Sequence, residues 1–261
     1  MQITGNLLVD CLSPSLRTVV LQGAQRVQLR ANSPIFRATP PMSLLFVTAG
    51  AVSVTTKLQD GATPEVASMG REGLLGYELL LGARSLTNGY LMLGEGSGVS
   101  VPRRHLETLF QEDNEFRMRI LELALAQTSV TKQLTACSLT HEADQRLARW
   151  LLSTSHHLGS RTVSVTQELI SMLLGVRRTT VSLISKRYER EGLTRTRRGV
   201  MTILDRDALS ARSCECCRTL VALNSSIYGQ HQDAWNASHH TDSFPAGPVV
   251  HGIPDELQAQ R

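Results

Sequence analysis

Residues 177–190 carry side chains whose chemistry suits contact with a nucleic acid. The stretch combines guanidinium, ammonium and hydroxyl groups at helical spacing: Arg177, Arg178, Thr179, Thr180, Ser182, Lys186 and Arg187. Arginine can donate paired hydrogen bonds to O6 and N7 of guanine, and hydroxyl groups bind phosphates or base edges. Backbone N–H groups at a helix N-terminus also favour anions. This stretch therefore predicts a recognition helix for the major groove of duplex DNA.

The flanking residues predict the elements that would position this helix. Thr166 is placed to cap a helix over 167–174, and Gly175 ends that helix with a residue that tolerates positive φ. The second helix, over about 177–191, follows after a turn too short for antiparallel packing, so the two helices must cross steeply. Ser171 is small enough to leave room at the crossing. This pattern predicts a helix-turn-helix.

A basic hairpin is predicted after the two helices. Two strand-like segments, 193–196 and 200–204, flank a basic tip at Arg197 and Arg198, which would bind the DNA backbone or minor groove. Residues 161–212 carry 11 basic and 5 acidic residues, a balance of +6 in a chain whose net charge is +4. Such concentration is typical of a module that binds a polyanion. A solvated basic face, or a winged helix used only for protein contacts, is the alternative.

Residues 163–204 resemble the winged helix of the Crp/Fnr superfamily of transcription regulators. The resemblance implies a β-roll sensor domain, a long dimerisation helix and a DNA-binding domain, in that order. It places Arg178 where the family has a base-reading arginine and Thr180 where it has a hydroxyl that contacts phosphate. RNA polymerase is a further candidate partner. Thr179 and Leu183 differ from the best-known member, so the operator sequence of that member does not carry over.

The first 112 residues favour short strands separated by turns. Apolar or alternating segments recur at 27–29, 44–47, 51–55, 66–69, 89–93 and 99–101. This spacing predicts a sandwich or small barrel, preceded by a partly helical segment over 6–21 that breaks at Ser13 and Pro14. With the resemblance, the predicted fold class is α+β: a cyclic-nucleotide-binding-like β-roll, a long dimerisation helix and a C-terminal winged helix-turn-helix.

A helical period takes over near residue 113. Mostly apolar residues recur there at alternating spacings of four and three: Phe116, Ile120, Leu123, Gln127, Val130, Leu134 and Cys137. A heptad stripe held over three repeats indicates a coiled-coil seam, so these residues are predicted to form the interface of a homodimer. The alternative is a long amphipathic helix that lies on its own β domain. A further helix is predicted over about 141–154.

The β domain does not have the residues by which the family holds a cyclic nucleotide. Family members bind the cyclic phosphate with a Gly-Glu pair and a downstream Arg-Ser/Thr pair. Here Gly76 and Tyr77, and then Thr87 and Asn88, stand at those places. Without the arginine a buried phosphate lacks its charge partner, so either a small-molecule effector of another, unknown kind or no effector is expected. Cys11 alone near the N-terminus cannot ligate an iron–sulfur cluster.

Cys214, Cys216 and Cys217 place three thiols within four residues. They could bind a soft metal or be oxidised, with Cys137 as a fourth member if the fold brings it close. Cysteines on a packed helix more often serve as small apolar side chains. No metal and no cofactor is therefore predicted. A redox- or metal-responsive regulator that uses this cluster is kept as an alternative.

Other function classes find little support in the composition. No apolar run approaches the roughly 20 residues that span a bilayer, and the N-terminus has no signal-peptide pattern, so no membrane partner and a cytoplasmic location are expected. No set of catalytic side chains indicates an enzyme, and a dimeric scaffold without DNA binding is a last alternative. The predicted domains are residues 1–112, 113–139 and 140–223, with a disordered tail over 224–261.

Overall fold

The computed structural model describes residues 4–37 and 40–226 of the 261-residue chain. The predicted tail lies outside this range, except for residues 224–226, which end the last helix. A β domain, a long helix and a winged domain follow one another along the chain. The predicted α+β class and this order of parts are confirmed.

The β domain consists of two antiparallel four-stranded sheets, with strand orders β1-β8-β3-β6 and β2-β7-β4-β5. The strands are β1 Gln25–Leu29, β2 Ser33–Pro34, β3 Ser43–Ala49, β4 Val52–Thr56, β5 Glu65–Met69, β6 Leu74–Leu75, β7 Asn88–Met92 and β8 Gly96–Pro102. β3 and β4 bury most of their residues, whereas β1 is mostly exposed. Gly50 joins β3 to β4 with a φ of +106°, and a Cβ there would collide with the methyl group of Met92. Only glycine fits this connection.

Three helices pack around the β domain. α1 (Leu7–Asp10) and α2 (Pro14–Val20) are separated at Ser13, where the sequence predicts a break. α3 (Arg103–Glu112) was not predicted. Two contacts stabilise it: Leu106 and Leu109 are buried, and the Arg103 guanidinium pairs with the Glu107 carboxylate one turn later at 3.2 Å. A 3₁₀ turn over Tyr77–Leu79 lies between β6 and β7.

The long helix α4 spans Asn114–Thr140, and the Asp113 carboxylate caps it by accepting from the Phe116 N–H at 2.8 Å. The stripe that was predicted as the dimer seam is buried inside the protomer: Phe116, Ile120, Leu123, Gln127, Val130, Leu134 and Cys137 are each at most 5% exposed. A side chain with no free surface in the protomer cannot contact a partner. This face of α4 packs on its own β domain, as the alternative interpretation has it, and also on the last helix, Cys216–Ser226.

α4 carries a second heptad stripe on its outer face. Its members are all exposed and follow the same alternating spacing: Met118, Leu121, Leu125, Thr128, Lys132, Thr135 and Leu139. Leu125 and Leu139 are 69% and 82% exposed. The hydroxyl groups of Thr128 and Thr135 donate to backbone carbonyls one turn earlier, so only their methyl groups need covering.

The C-terminal domain combines helices with a three-stranded sheet of order β10-β11-β9. Its elements are α5 Ala143–Leu158, β9 Thr162–Ser164, α6 Gln167–Leu174, α7 Arg178–Arg190, β10 Thr194–Arg197, β11 Val200–Ile203, α8 Arg206–Arg212 and α9 Cys216–Ser226. α5 continues one turn beyond the predicted helix, to a Gly159 in the left-handed region. None of the helices within residues 4–37 and 40–226 is long and apolar enough to cross a bilayer.

Candidate nucleic-acid interface

The turn between α6 and α7 fixes the angle at which α7 leaves the domain. Thr166 begins α6, and its hydroxyl oxygen accepts from the Leu169 N–H at 3.1 Å. Gly175 ends α6 with a φ of +62°. The N–H groups of Gly175 and Val176 then donate back to carbonyls in the last turn of α6 at 3.3 and 3.0 Å. These two bonds form a Schellman motif, which stops the helix and redirects the chain at once. The predicted helix boundaries and capping residues are confirmed here.

α7 packs on the domain by one face and presents the other to solvent. Val181, Ile184 and Tyr188 are buried, and the Tyr188 hydroxyl donates to the Asp144 carbonyl of α5 at 2.8 Å. The residues at the N-terminal end, Arg177, Arg178 and Thr179, are exposed. Thr180 and Ser182 are half-buried beside them, and Lys186 is exposed one turn further on. Of the predicted basic residues of this segment, Arg177, Arg178 and Lys186 are therefore exposed to solvent.

Arg178 and Arg187 differ in what holds them. The Arg178 guanidinium lies 3.5 Å from the Glu168 carboxylate, with both side chains at least 70% exposed. An ion pair this exposed is worth at most about 1 kcal/mol, so Arg178 can exchange it for DNA. Arg187 instead contacts Asp144 of α5 at 2.6 Å, and the Asp144 side chain is 17% exposed. Arg187 thus fastens α7 to α5.

The wing beside α7 is a two-residue hairpin between β10 and β11. Arg198 and Gly199 at its tip both have positive φ, at 48° and 76°, which is the signature of a type I′ turn. Arg197 and Arg198 are exposed, as the sequence predicts. The Thr196 N–H donates to the Glu189 carboxylate of α7 at 2.6 Å. This bond holds the wing and the recognition helix in one arrangement.

Three further exposed side chains join this surface and were not among the predicted site residues. Arg195 lies two residues before Arg197 on β10, so the two side chains share a face of the strand. Arg190 is exposed at the end of α7, and Leu183 is 70% exposed in its middle. The alternation of arginines along the wing is the sequence signal that would have found Arg195.

Comparisons with known proteins agree with this geometry. Residues 145–212 match the family model of the Crp-like helix-turn-helix domain. A Crp/Fnr-family transcriptional regulator from Eubacterium rectale superposes with a TM-score of 0.63 at 18% identity, over 78% of this chain and 96% of that one. The chain has the fold of Crp/Fnr-family proteins and contains a Crp-like helix-turn-helix domain. The predicted resemblance is confirmed.

Two other solved structures of the Crp/Fnr fold are similar to the same extent. A Crp-family transcriptional regulator from Thermus thermophilus has a TM-score of 0.61 at 21% identity, over 73% of this chain and 99% of that one. FixK2 from Bradyrhizobium japonicum has a TM-score of 0.61 at 18% identity, over 73% and 98%. No curated protein sequence matches the chain.

In the region where Crp/Fnr proteins hold a cyclic phosphate, this chain has different side chains and different hydrogen bonds. Gly76 adopts a left-handed conformation at the start of the 3₁₀ turn. The Tyr90 hydroxyl donates to the Glu78 carboxylate at 2.7 Å, and the Asn88 amide donates to it at 3.3 Å. Tyr77 stands where the family has its glutamate, and Tyr90 and Asn88 already donate to Glu78. Thr87 contributes no positive charge.

Proposed function

We propose that the protein is a sequence-specific DNA-binding transcription regulator that acts as a homodimer on a two-fold symmetric site. The observation that carries the proposal is the single exposed surface formed by the start of α7 and the wing. It combines six arginine and lysine side chains with hydroxyl groups: Arg177, Arg178, Lys186, Arg195, Arg197 and Arg198, with Thr179 and Thr180. Such a surface binds phosphates with the wing and reads base edges with the helix.

Within this surface the structure supports different roles for different residues. Arg178 at the first turn of α7 is the base reader, and Thr166, Thr180 and the wing arginines contact the backbone. Arg187 was predicted to contact DNA, but its bond to Asp144 favours a supporting role behind α7. Leu183 is apolar and exposed, so it suits contact with a thymine methyl group.

The homodimer is proposed through the outer stripe of α4. Met118, Leu121 and Leu125 leave an apolar surface that monomeric proteins seldom expose in one row. Lys132 interrupts the stripe, as a polar residue in a coiled-coil seam can to fix register and partner number. Two copies paired along α4 would place their α7 helices on one side of the dimer, where they can enter successive major grooves.

The effector, if the β domain binds one, is proposed to be other than a cyclic nucleotide. The support is that Tyr77 stands in place of the family's glutamate and Thr87 in place of its arginine. The proposal assigns no enzymatic activity. RNA polymerase as a partner and the cytoplasm as the location follow from the regulatory role and stay predictions.

Salt dependence of DNA binding tests the proposed function. Affinity for a duplex should fall steeply and log-linearly with salt, because each neutralised phosphate releases condensed counterions at a slope of about −0.9 per contact. Replacing Arg197 by Ala should reduce that slope by about 1. A flat salt profile, or no binding to any duplex, would show that the dimeric scaffold without DNA binding is the better description.

A further inference from the structure

Four side chains with metal-ligating atoms converge at the end of α4. Cys137 lies in the last turn of α4, and His141 ends the helix four residues later, so both face the same side. Cys214 and Cys216 come from the turn that leads from α8 into α9. The four donor atoms all lie within 4.8 Å of one another.

Two of the distances among these atoms are close to those around a single tetrahedral ion. The sulfurs of Cys137 and Cys214 are 3.6 Å apart, and the Cys216 sulfur is 3.6 Å from Nδ1 of His141. Tetrahedral zinc, with Zn–S near 2.3 Å and Zn–N near 2.0–2.1 Å, separates two sulfurs by about 3.8 Å and a sulfur from a nitrogen by about 3.6 Å. A disulfide would require the two sulfurs at about 2.05 Å. The arrangement therefore suits an ion better than a covalent bond between the thiols.

The four side chains are largely buried, and neighbouring residues orient them by hydrogen bonds. Cys137, Cys214 and Cys216 are at most 3% exposed. Nε2 of His141 lies 3.2 Å from the Glu215 carboxylate, so Nδ1 is left to face the sulfurs. A zinc-bound histidine usually donates its other ring N–H to a carboxylate, as His141 can to Glu215 here. The Gln133 amide donates to the Cys216 sulfur at 3.0 Å, as expected for a sulfur that carries negative charge.

A compensating positive charge lies nearby. One Zn²⁺ ion with three thiolates carries a net charge of −1. The Arg149 side chain is 5% exposed, and its Nε has no hydrogen-bond partner among the described residues. It acts electrostatically on Cys137. Arg149 also acts on the Glu65 carboxyl, and the loaded site would add a second negative group beside this buried cation.

We propose that Cys137, His141, Cys214 and Cys216 bind one Zn²⁺ ion as a Cys₃His site. Binding replaces three thiol protons, which pass to solvent. Thiolate and imidazole ligands in tetrahedral geometry select zinc over the hard cations. The sequence alternative named Cys217 in such a cluster. Cys217 instead packs in the apolar core of the winged domain and takes no part.

The position of this site gives it a structural consequence. Only His141 and Glu142 separate α4 from α5. The ion would tie this junction to the start of α9 and so fix how the winged domain is set against the long helix. That effect on DNA binding rests on the proposed function, whereas metal binding itself does not.

Metal content of the full-length, reduced protein tests the proposal. We expect about one zinc ion per protomer after saturation and removal of free metal. Co²⁺ in place of zinc should give thiolate-to-cobalt charge-transfer bands and the visible bands of a tetrahedral ion. Cys137→Ser and Cys214→Ser should lose both signals. The matched controls Cys11→Ala and Cys217→Ala remove thiols outside the site and should keep them.

Two further variants distinguish the loss of a metal ligand from unfolding of the protein. His141→Cys should keep the ion and strengthen the charge-transfer bands, because it supplies a fourth thiolate. Glu215→Gln should weaken zinc affinity by about 10–100-fold without removing a ligand. If the folded wild-type protein binds neither Zn²⁺ nor Co²⁺, or if Cys214→Ser binds them as the wild type does, the three cysteines are apolar packing residues and the proposal is overturned. Metal is measured without DNA, so loss of DNA binding overturns only the proposed function.

Discussion

Arg178 is the side chain on which sequence reading by this protein would depend most. It occupies the first turn of α7, it is 70% exposed, and its only described ion pair is the loose contact with Glu168. Arg187 has the same chemistry on the same helix, but its guanidinium is bound to Asp144. Residue type and helical spacing could not distinguish the two, because the partner of Arg187 lies far away in the sequence, on α5.

Replacing Arg178 by Ala is expected to weaken binding to the preferred site by about 1–3 kcal/mol and to relax preference at one base pair. The reason is the loss of a bidentate contact to guanine. Fluorescence anisotropy on the preferred duplex and on single-base variants measures both effects. Arg26→Ala, which removes an exposed arginine from the β domain, should bind as the wild type does. Unchanged affinity and selectivity for Arg178→Ala would refute its role as base reader.

Arg198 is expected to lower the stability of the fold while it contributes to DNA binding. It sits in the left-handed region with φ of 48°, where most residues lose about 1 kcal/mol and asparagine loses less. Arg198→Asn should therefore raise the free energy of unfolding by about 0.5–1 kcal/mol while DNA affinity falls. Arg197→Asn removes the same charge outside the left-handed region. If chemical denaturation shows the two variants to be equally stable, the turn does not store this strain.

The cysteine cluster shows where residue-level prediction stopped. The run of Cys214, Cys216 and Cys217 directed attention to thiols close in sequence. Cys217 is next to Cys216 at the start of α9, but its side chain packs in the core of the winged domain, and the end of α4 supplies His141 instead. The spacing of Cys137 and His141, four residues apart on one helix, was the signal available in the sequence.

At the scale of elements, six of the eight strands of the β domain and the helix-turn-helix followed from pattern. The short strands β2 and β6 and the role of the α4 faces did not. α4 has two heptad stripes, of which the more apolar one is buried against the β domain and α9 and the other is exposed. In a dimer both faces of such a helix are covered, so apolarity alone cannot say which face meets the partner. α3 was missed although its sequence is amphipathic, with Leu106 and Leu109 on the buried side; the helical period was recognised only from residue 113 onward.

Leu125→Glu is expected to dissociate the proposed dimer. Leu125 is 69% exposed at the centre of the outer stripe, and each dimer would lose two buried leucines at about 1.5–3 kcal/mol each. The dimer dissociation constant should rise on the order of 10²-fold or more, as measured by sedimentation. Leu58→Glu introduces the same charge at another exposed leucine, at the end of the β4 hairpin, and should leave the mass unchanged. A dimer that survives Leu125→Glu would place the interface elsewhere.

At the scale of the whole molecule, polar contacts join the β domain to the winged domain. The Trp150 indole N–H of α5 donates to the Glu65 carboxylate of β5 at 3.1 Å, and the Ser53 hydroxyl donates to the same oxygen at 2.6 Å. His157 of α5 lies 3.7 Å from Glu72. Loss of water at this contact raises the pKa of Glu65 above its usual value, although both donors act to lower it. No sequence pattern pairs residues this far apart.

The raised pKa of Glu65 predicts a dependence of stability on pH. The unfolded carboxyl ionises near pH 4.3 and the folded one at higher pH. Between these values the folded state holds an additional proton, so stability falls as pH rises through that window. Glu65→Gln removes this term. The stability of the wild type relative to Glu65→Gln, from chemical denaturation, should be greater at about pH 5 than at about pH 8. An equal difference at both pH values would mean that the Glu65 carboxyl is not perturbed by the contact.

Selection of bound sites from a random duplex library tests the central claim most directly. The account predicts that purified full-length protein enriches an inverted repeat whose half-site centres lie about one helical turn, or 10–10.5 base pairs, apart. Such a repeat requires both a reading helix and a two-fold dimer. Failure of folded protein to enrich any sequence would contradict DNA recognition by α7, and enrichment of a single half-site without its inverted copy would contradict the homodimer.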